Sequence, residues 1–259
     1  VIELGLETTR SRAQARILAG DVRLGDRVID KPGALVPADA PLTLRARAPY
    51  VSRGGEKLAG ALGAFGIDPA GLRCLDAGAS TGGFTDCLLQ RGAARVIAVD
   101  VGYGQLALSL REDPRVVVFE RTHVRDFALP QGEPPVDLVT ADLSFISLAK
   151  VLHHLVSVCR PGGRLLLLVK PQFELEAADV GKGGVVRDPE KRREAARRVC
   201  DTALRQGLLV RGEADSVLAG PKGNVERFVL LERPPVCVEA SSPSRARPPG
   251  SGCRKDIGS

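Results

Sequence analysis

Past residue 70 the chain is marked by short apolar runs, at 73–75, 95–99, 116–119, 136–140, 164–169, 208–216 and 228–231. Runs of this length, bounded by polar and glycine-rich stretches, predict strands, most of them buried on both faces. Between them, 84–91, 104–111, 148–158 and 189–206 carry apolar residues at three- and four-residue spacing, the mark of a helix with one buried face. Strand alternating with helix predicts a mostly parallel sheet covered on both sides. The last two strands have no helix between them, which predicts a closing antiparallel hairpin. The fold class is therefore α/β, a Rossmann-like sheet.

The first 57 residues have a different pattern. Helical periodicity over 3–20 has N-cap candidates in Thr8-Thr9-Arg10-Ser11, an apolar stripe in Ala13, Ile17 and Leu18, and a stop at Gly20. Residues 22–24 and 27–29 flank Gly25-Asp26 and predict a tight hairpin, and 41–44 a further short strand. This is a small α+β unit over 1–45, followed by a linker at 46–52. A helix is predicted over 56–65, after a turn made by Gly54-Gly55. Lys57 falls in its first turn, where a cation opposes the helix dipole, a hint that it has another task. The main unit runs from 53 to 233. Residues 234–259, rich in Pro, Ser and Arg, predict a disordered basic tail.

Charge adds a partner to this picture. The net charge is +6, and the first 57 residues hold ten Lys/Arg against seven Asp/Glu. A basic amino-terminal unit and a basic tail around a near-neutral middle point to an anionic macromolecule. Arg10, Arg12, Arg16, Arg23, Lys31 and Arg53 are the candidate phosphate contacts. No apolar run approaches the roughly 20 residues of a membrane span, and no signal peptide is visible. None of the six cysteines has C-x-x-C spacing, which argues against a zinc or dithiol site and for a reducing, cytoplasmic setting. The chain has no Met and begins at Val1, so it reads as shortened at its amino end.

The candidate chemistry starts at LDAGASTGGFTD. An apolar strand ends in Asp76, a loop of small residues follows (Gly78, Ala79, Ser80, Thr81, Gly82, Gly83), and a helix opens at Phe84-Thr85. Strand, glycine loop and helix form the first turn of a nucleotide-binding unit. A dinucleotide fingerprint would require glycine where Ser80 stands. Asp76 suits a ligand bearing an ammonium group, and Asp100, ending the next strand, suits a ribose diol. An amino-acid end joined to an adenosine end describes S-adenosylmethionine. Asp126 is a candidate for the adenine amino group. Asp142 and Lys170 close two further strands, and Glu226 precedes the last one. With Lys57 they make a candidate cluster of two lysines and two carboxylates. His123, His153 and His154 lack metal-ligand spacing, so no metal is expected.

Seven strings carry a resemblance: YVSRGGEKL, LDAGASTGGFTD, VDVGYGQL, ADLSFISL, LVKPQFE, VGKGGVVRD and KGNVERF. Over residues 1 to about 233 the chain resembles the TlyA, or hemolysin A, family of FtsJ-type ribosomal RNA ribose methyltransferases. The resemblance implies an S-four (alpha-L) type RNA-binding unit at the amino end and a catalytic tetrad of Lys57, Asp142, Lys170 and Glu226, with Asp142 also beside the cofactor. It implies ribosomal RNA or ribosomal subunits as substrate, cytidine 2′-hydroxyls as acceptors and Lys170 as the base. Three rival functions are weighed against this. A base or protein N-methyltransferase often shows Asn/Asp-Pro-Pro-Tyr/Phe where this chain has Asp142-Leu143-Ser144-Phe145. A non-catalytic RNA-binding or ribosome-assembly factor would transfer no methyl group. A membrane-active hemolysin would need an apolar or strongly amphipathic membrane segment that the pattern does not show.

Overall fold

A computed structural model of the chain describes residues 1–45 and 48–235; the tail predicted over 234–259 lies, from 236 onward, outside the described residues, as do 46–47 of the linker. In the amino-terminal unit, helix α1 (Arg10–Leu18) is capped by Thr9, whose hydroxyl accepts from Arg12 N. Strands β1 (Val22–Leu24), β2 (Arg27–Ile29) and β3 (Leu42–Leu44) form an antiparallel sheet in the order β2-β1-β3. Helical structure is shorter than the periodicity predicts, because the chain turns ahead of α1 with Gly5 at φ +68. Leu18 is 68% exposed, so the predicted stripe narrows to Ala13 and the half-buried Ile17.

The large unit opens with α2 (Arg53–Ala64), β4 (Arg73–Ala77), α3 (Gly83–Gln90), β5 (Arg95–Val99), α4 (Leu108–Arg111) and β6 (Val116–Phe119). It continues with β7 (Val136–Ala141), α5 (Leu148–Val158), β8 (Cys159–Val169), α6 (Pro171–Glu174), α7 (Pro189–Arg205), β9 (Leu209–Asp215) and β10 (Arg227–Glu232). The strands form one sheet in the order β6-β5-β4-β7-β8-β10-β9. β10 runs antiparallel to both neighbours, and the other pairings are parallel.

Period-two alternation sorts the sheet's side chains into two cores. Leu75, Ile97, Val139, Leu165, Leu167 and Val229 face α5 and α7, while Cys74, Val96, Leu138, Leu166, Leu168 and Phe228 face α2 and α3. Each fully buried leucine contributes roughly 1.5–3 kcal/mol. Cys74, Cys87, Cys159 and Cys200 are free and buried, as apolar periodic positions predict. Burial pushes the Cys74, Cys159 and Cys200 thiols up to about 12, so they stay protonated at neutral pH.

Two predicted helices change shape. The one over 104–111 contracts to α4, because Gly104 sits at φ +69 and Ala107 is extended, so 102–107 becomes a loop. α2 starts earlier than predicted, capped by Ser52, whose hydroxyl accepts from Gly54 N. The glycine pair therefore lies inside its first turn. A Cβ on Gly55 would come 2.2 Å from the Tyr50 ring, and one on Gly83 2.2 Å from Ser52 Oγ and 2.9 Å from Gly55 N. The glycines let the start of α2 seat directly on the start of α3. Asp86 and Gln90 on α3 fasten the incoming chain, accepting from Val51 N at 2.8 Å and donating to Pro49 O at 2.9 Å.

Candidate active site

The strand order turns back between β4 and β7, and open α/β sheets bind ligands in the crevice beyond such a reversal. At that point Gly78 follows β4 and Asp142 follows β7. Gly78 has φ +83, and a Cβ there would come 2.7 Å from the Asp142 carbonyl oxygen. Only glycine fits, and its absent side chain leaves the crevice open.

A groove of about 960 Å3 runs from this crevice along β5 and the β7–α5 loop. Gly78, Ser80 and Asp100 line one side, and Leu143, Phe145 and Ile146 line the other. Its volume suits a nucleoside-sized ligand. Asp100 holds the glycine loop in shape: Oδ2 accepts from Ser80 N at 2.8 Å and Oδ1 from Gly102 N at 2.6 Å. Ser80 sits in the left-handed region, at φ 49. The residues fit S-adenosylmethionine: a glycine cradle at the switch point, a carboxylate at the end of the second strand and an apolar wall.

A second cavity, of about 470 Å3, adjoins the first and shares Gly78, Ser80 and Asp142 with it. Lys57, Asp142, Lys170 and Glu226 all line it, with Arg53 and Phe84. The tetrad is two pairs. Lys57 Nζ donates to Glu226 Oε2 at 2.5 Å, with both residues buried, at 6% and 1% exposure. Lys170 Nζ lies 2.7 Å from Asp142 Oδ1 and donates to Ser144 Oγ at 2.8 Å. Ser144 is the one hydrogen-bond partner of that nitrogen, and Asp142 Oδ1 faces it as an ion-pair partner without a hydrogen bond of its own among the described residues.

Other candidates fall elsewhere. Asp76 is fully buried beneath the loop, not on the groove, and its Oδ2 accepts from Thr85 Oγ1 at 2.7 Å. Asp76 thus braces β4 to α3 through one oxygen, while its Oδ1 has no hydrogen-bond partner among the described residues. Burial pushes its carboxyl up to about 7, against the Thr85 bond and with help from Asp142 and Asp100. Thr85 is buried with it. Ala79, Thr81 and Gly83 line the tetrad cavity instead of the groove. Gly82 precedes α3 at φ +98, backed by Leu106 and Leu110. Asp126 is exposed and outside the groove lining, which its neighbours Val124 and Arg125 supply. Arg16 is buried in an internal network with Glu7 and Asp21 and donates to Arg45 O, so it stabilises its own unit. Arg10, Arg12, Lys31 and Arg53 are exposed, and Arg23 is half-buried.

No local pattern marks Ser144 as a partner for Lys170, nor Glu174 as a brace. The Glu174 carboxylate accepts from Ser147 Oγ at 2.6 Å and Leu148 N at 2.7 Å, capping α5 from α6. Its burial pushes the carboxyl up against these bonds. Among the described residues, no cluster of His, Cys, Asp and Glu is arranged to hold a metal ion, and no helix is long and apolar enough to cross a membrane.

A glycine cradle at the switch point of a seven-stranded sheet, with a charged cavity beside it, is a Rossmann-like methyltransferase arrangement. A Mesorhizobium loti S-adenosylmethionine-dependent methyltransferase shares the fold at a TM-score of 0.52, with 16% identity over 68% of this chain and 98% of that one. Residues 50–233 match the FtsJ-like methyltransferase family. The chain belongs to that family, in its TlyA branch, and is a methyltransferase. It is 50% identical over 233 residues to the Mycobacterium tuberculosis 16S/23S rRNA (cytidine-2′-O)-methyltransferase TlyA, covering 89% of this chain and 87% of that protein. A Streptococcus thermophilus structure that carries a hemolysin name aligns at a TM-score of 0.70, with 38% identity over 91% of this chain and 88% of that one.

Proposed function

We propose that this protein methylates a ribose 2′-hydroxyl of ribosomal RNA, on cytidine, using S-adenosylmethionine. The observation that carries this reading is the tetrad cavity, whose two lysines and two carboxylates open onto the glycine loop. The TlyA relatives' named activity points to the same acceptor.

When bound, S-adenosylmethionine supplies a methyl group made electrophilic by the sulfonium. Asp100 and residues 78–81 would hold its ribose and methionine ends, and Leu143 and Ile146 would flank the adenine. Asp142 and Ser144 orient Lys170. Acting as a base, the amine keeps its hydrogen bond to Ser144 Oγ and turns its lone pair to the cavity. There Lys170 Nζ takes the 2′-hydroxyl proton as the oxygen attacks. Lys57, fixed by Glu226, lines the same cavity and would hold the hydroxyl or its adjoining phosphate. Fixing acceptor and donor in line supplies much of the rate. Two lysines with no proline-lined amide pocket suit a hydroxyl acceptor better than an amine. The exposed arginines of the amino-terminal unit contact RNA phosphates in the manner of an S-four type module.

The test is methyl transfer to ribosomal subunits that lack the modification, with the product mapped by mass spectrometry. Methyl on ribose oxygen is expected. Methyl on a base would transfer the assignment to the amine-modifying rival.

A further inference from the structure

Next to the tetrad, two glycine-rich loops, 181–187 and 218–224, are fastened together by one side chain. Asn224 is 2% exposed. Its Oδ1 accepts from Val186 N at 2.8 Å, its Nδ2 donates to Gly184 O at 2.8 Å, and its own carbonyl accepts from Gly220 N at 2.8 Å. A buried amide satisfied on both ends fixes the spacing of the two loops. The second loop is part of the catalytic wall. Ala219 and Pro221 line the tetrad cavity, and a Cβ on Gly220 would come 2.4 Å from Glu226 Oε1. Arg53 ties α2 to it by donating to Ala219 O at 2.9 Å.

Outward, the loop pair carries Lys182, Arg187 and Lys222, all exposed. None of the three is in an ion pair among the described residues. On the adjacent helix α7 the contrast is plain: Lys191 pairs with Asp179 and Glu194, Arg193 with Glu190 and Arg198 with Glu194. Lys222 Nζ lies 3.9 Å from where a Cβ on Gly184 would stand, so its ammonium reaches the partner loop. Unpaired cations on a rigid clamp present uncompensated positive charge, and a polyanion laid across them neutralises it.

We propose that this loop pair is a phosphate-docking rim that receives the RNA backbone beside the target ribose, with Lys182, Arg187 and Lys222 as its contacts and Asn224 as its clamp. It rests on ribosomal RNA being the substrate. The rim adds a phosphate anchor on the catalytic unit itself, apart from the amino-terminal unit. Single-stranded segments entering an active site are tracked by such basic edges.

The test uses the full chain and ribosomal subunits lacking the modification, with binding measured against salt. For Lys182→Gln/Lys222→Gln the log–log salt slope should become shallower by about 1.4–1.8, two phosphate contacts at about 0.7–0.9 each. Lys191→Gln removes a charge that is already paired and should leave the slope at the wild-type value. Asn224→Asp keeps the three cations but places an oxygen against Gly184 O, and should weaken RNA binding while binding of S-adenosylmethionine persists. A wild-type slope in the double lysine variant overturns the rim. Wild-type affinity in Asn224→Asp overturns the clamp. Mapping of the wild-type product stands apart from both: a base methyl would overturn the substrate reading, while a ribose methyl with an unchanged slope would overturn the rim alone.

Discussion

At the scale of single residues the site separates into a closed pair and an open one. Lys57 and Glu226 are shut away together, so losing either strands a charge. Lys57→Met should destabilise the fold by about 3–5 kcal/mol, seen as a lower urea midpoint, and adding Glu226→Leu should recover most of that loss. Neither variant should transfer methyl groups. Asp76 makes a different prediction. Its folded carboxyl titrates near 7, while the unfolded chain gives up that proton near 4. The contribution is fully present below about pH 4 and is lost as pH rises through about 7. Asp76→Asn should therefore gain stability relative to wild type as pH rises from about 4 to about 7, by up to ~1.4 kcal/mol per pH unit, and level off above that. A difference between the two urea midpoints that does not change with pH would contradict this. Asp100, Asp142, Lys170 and the glycines were legible because they stand at strand ends. The Asp76–Thr85 bond was not, because a residue's position along a strand does not disclose which helix side chain it meets. Arg16 misled for a related reason: charge is visible in sequence, its internal partners are not.

Among elements, the seven strands and the helix over 148–158 were readable from periodicity, since apolar spacing is a local property. The departures sit where backbone conformation decides. Gly104 and Ala107 break a helical pattern, and Gly54-Gly55 enter a helix instead of preceding it because α3 approaches so closely. That approach can be tested. Gly83→Ala places a methyl 2.2 Å from Ser52 Oγ and 2.9 Å from Gly55 N. Overpacking of this kind costs about 1–3 kcal/mol. The variant should unfold at lower urea and lose methyl transfer, because α2 carries Lys57 and Arg53. Unchanged activity would mean that the α2–α3 contact does not set the site.

For the whole molecule, four distant segments converge on one cavity. Lys57 and Glu226 are 169 positions apart in sequence and bonded in space. Nothing local announces that pairing; the strand order brings it about, by placing β10 beside β8 and its leading loop over the start of α2. Sequence strings identified the family and pointed to the proposed tetrad, while the division into two pairs, the contacts of Ser144 and Asn224, and the bracing by Glu174 required the fold. The central claim is that Lys170, aimed by Asp142 and Ser144, takes the proton from the ribose hydroxyl. The measurement that bears on it most directly is single-turnover methyl transfer to unmodified ribosomal subunits by wild type and Lys170→Ala, with the affinity for S-adenosylmethionine measured alongside. The account predicts a fall of at least about 10²-fold in rate with cofactor affinity unchanged. A rate in Lys170→Ala close to wild type would contradict it.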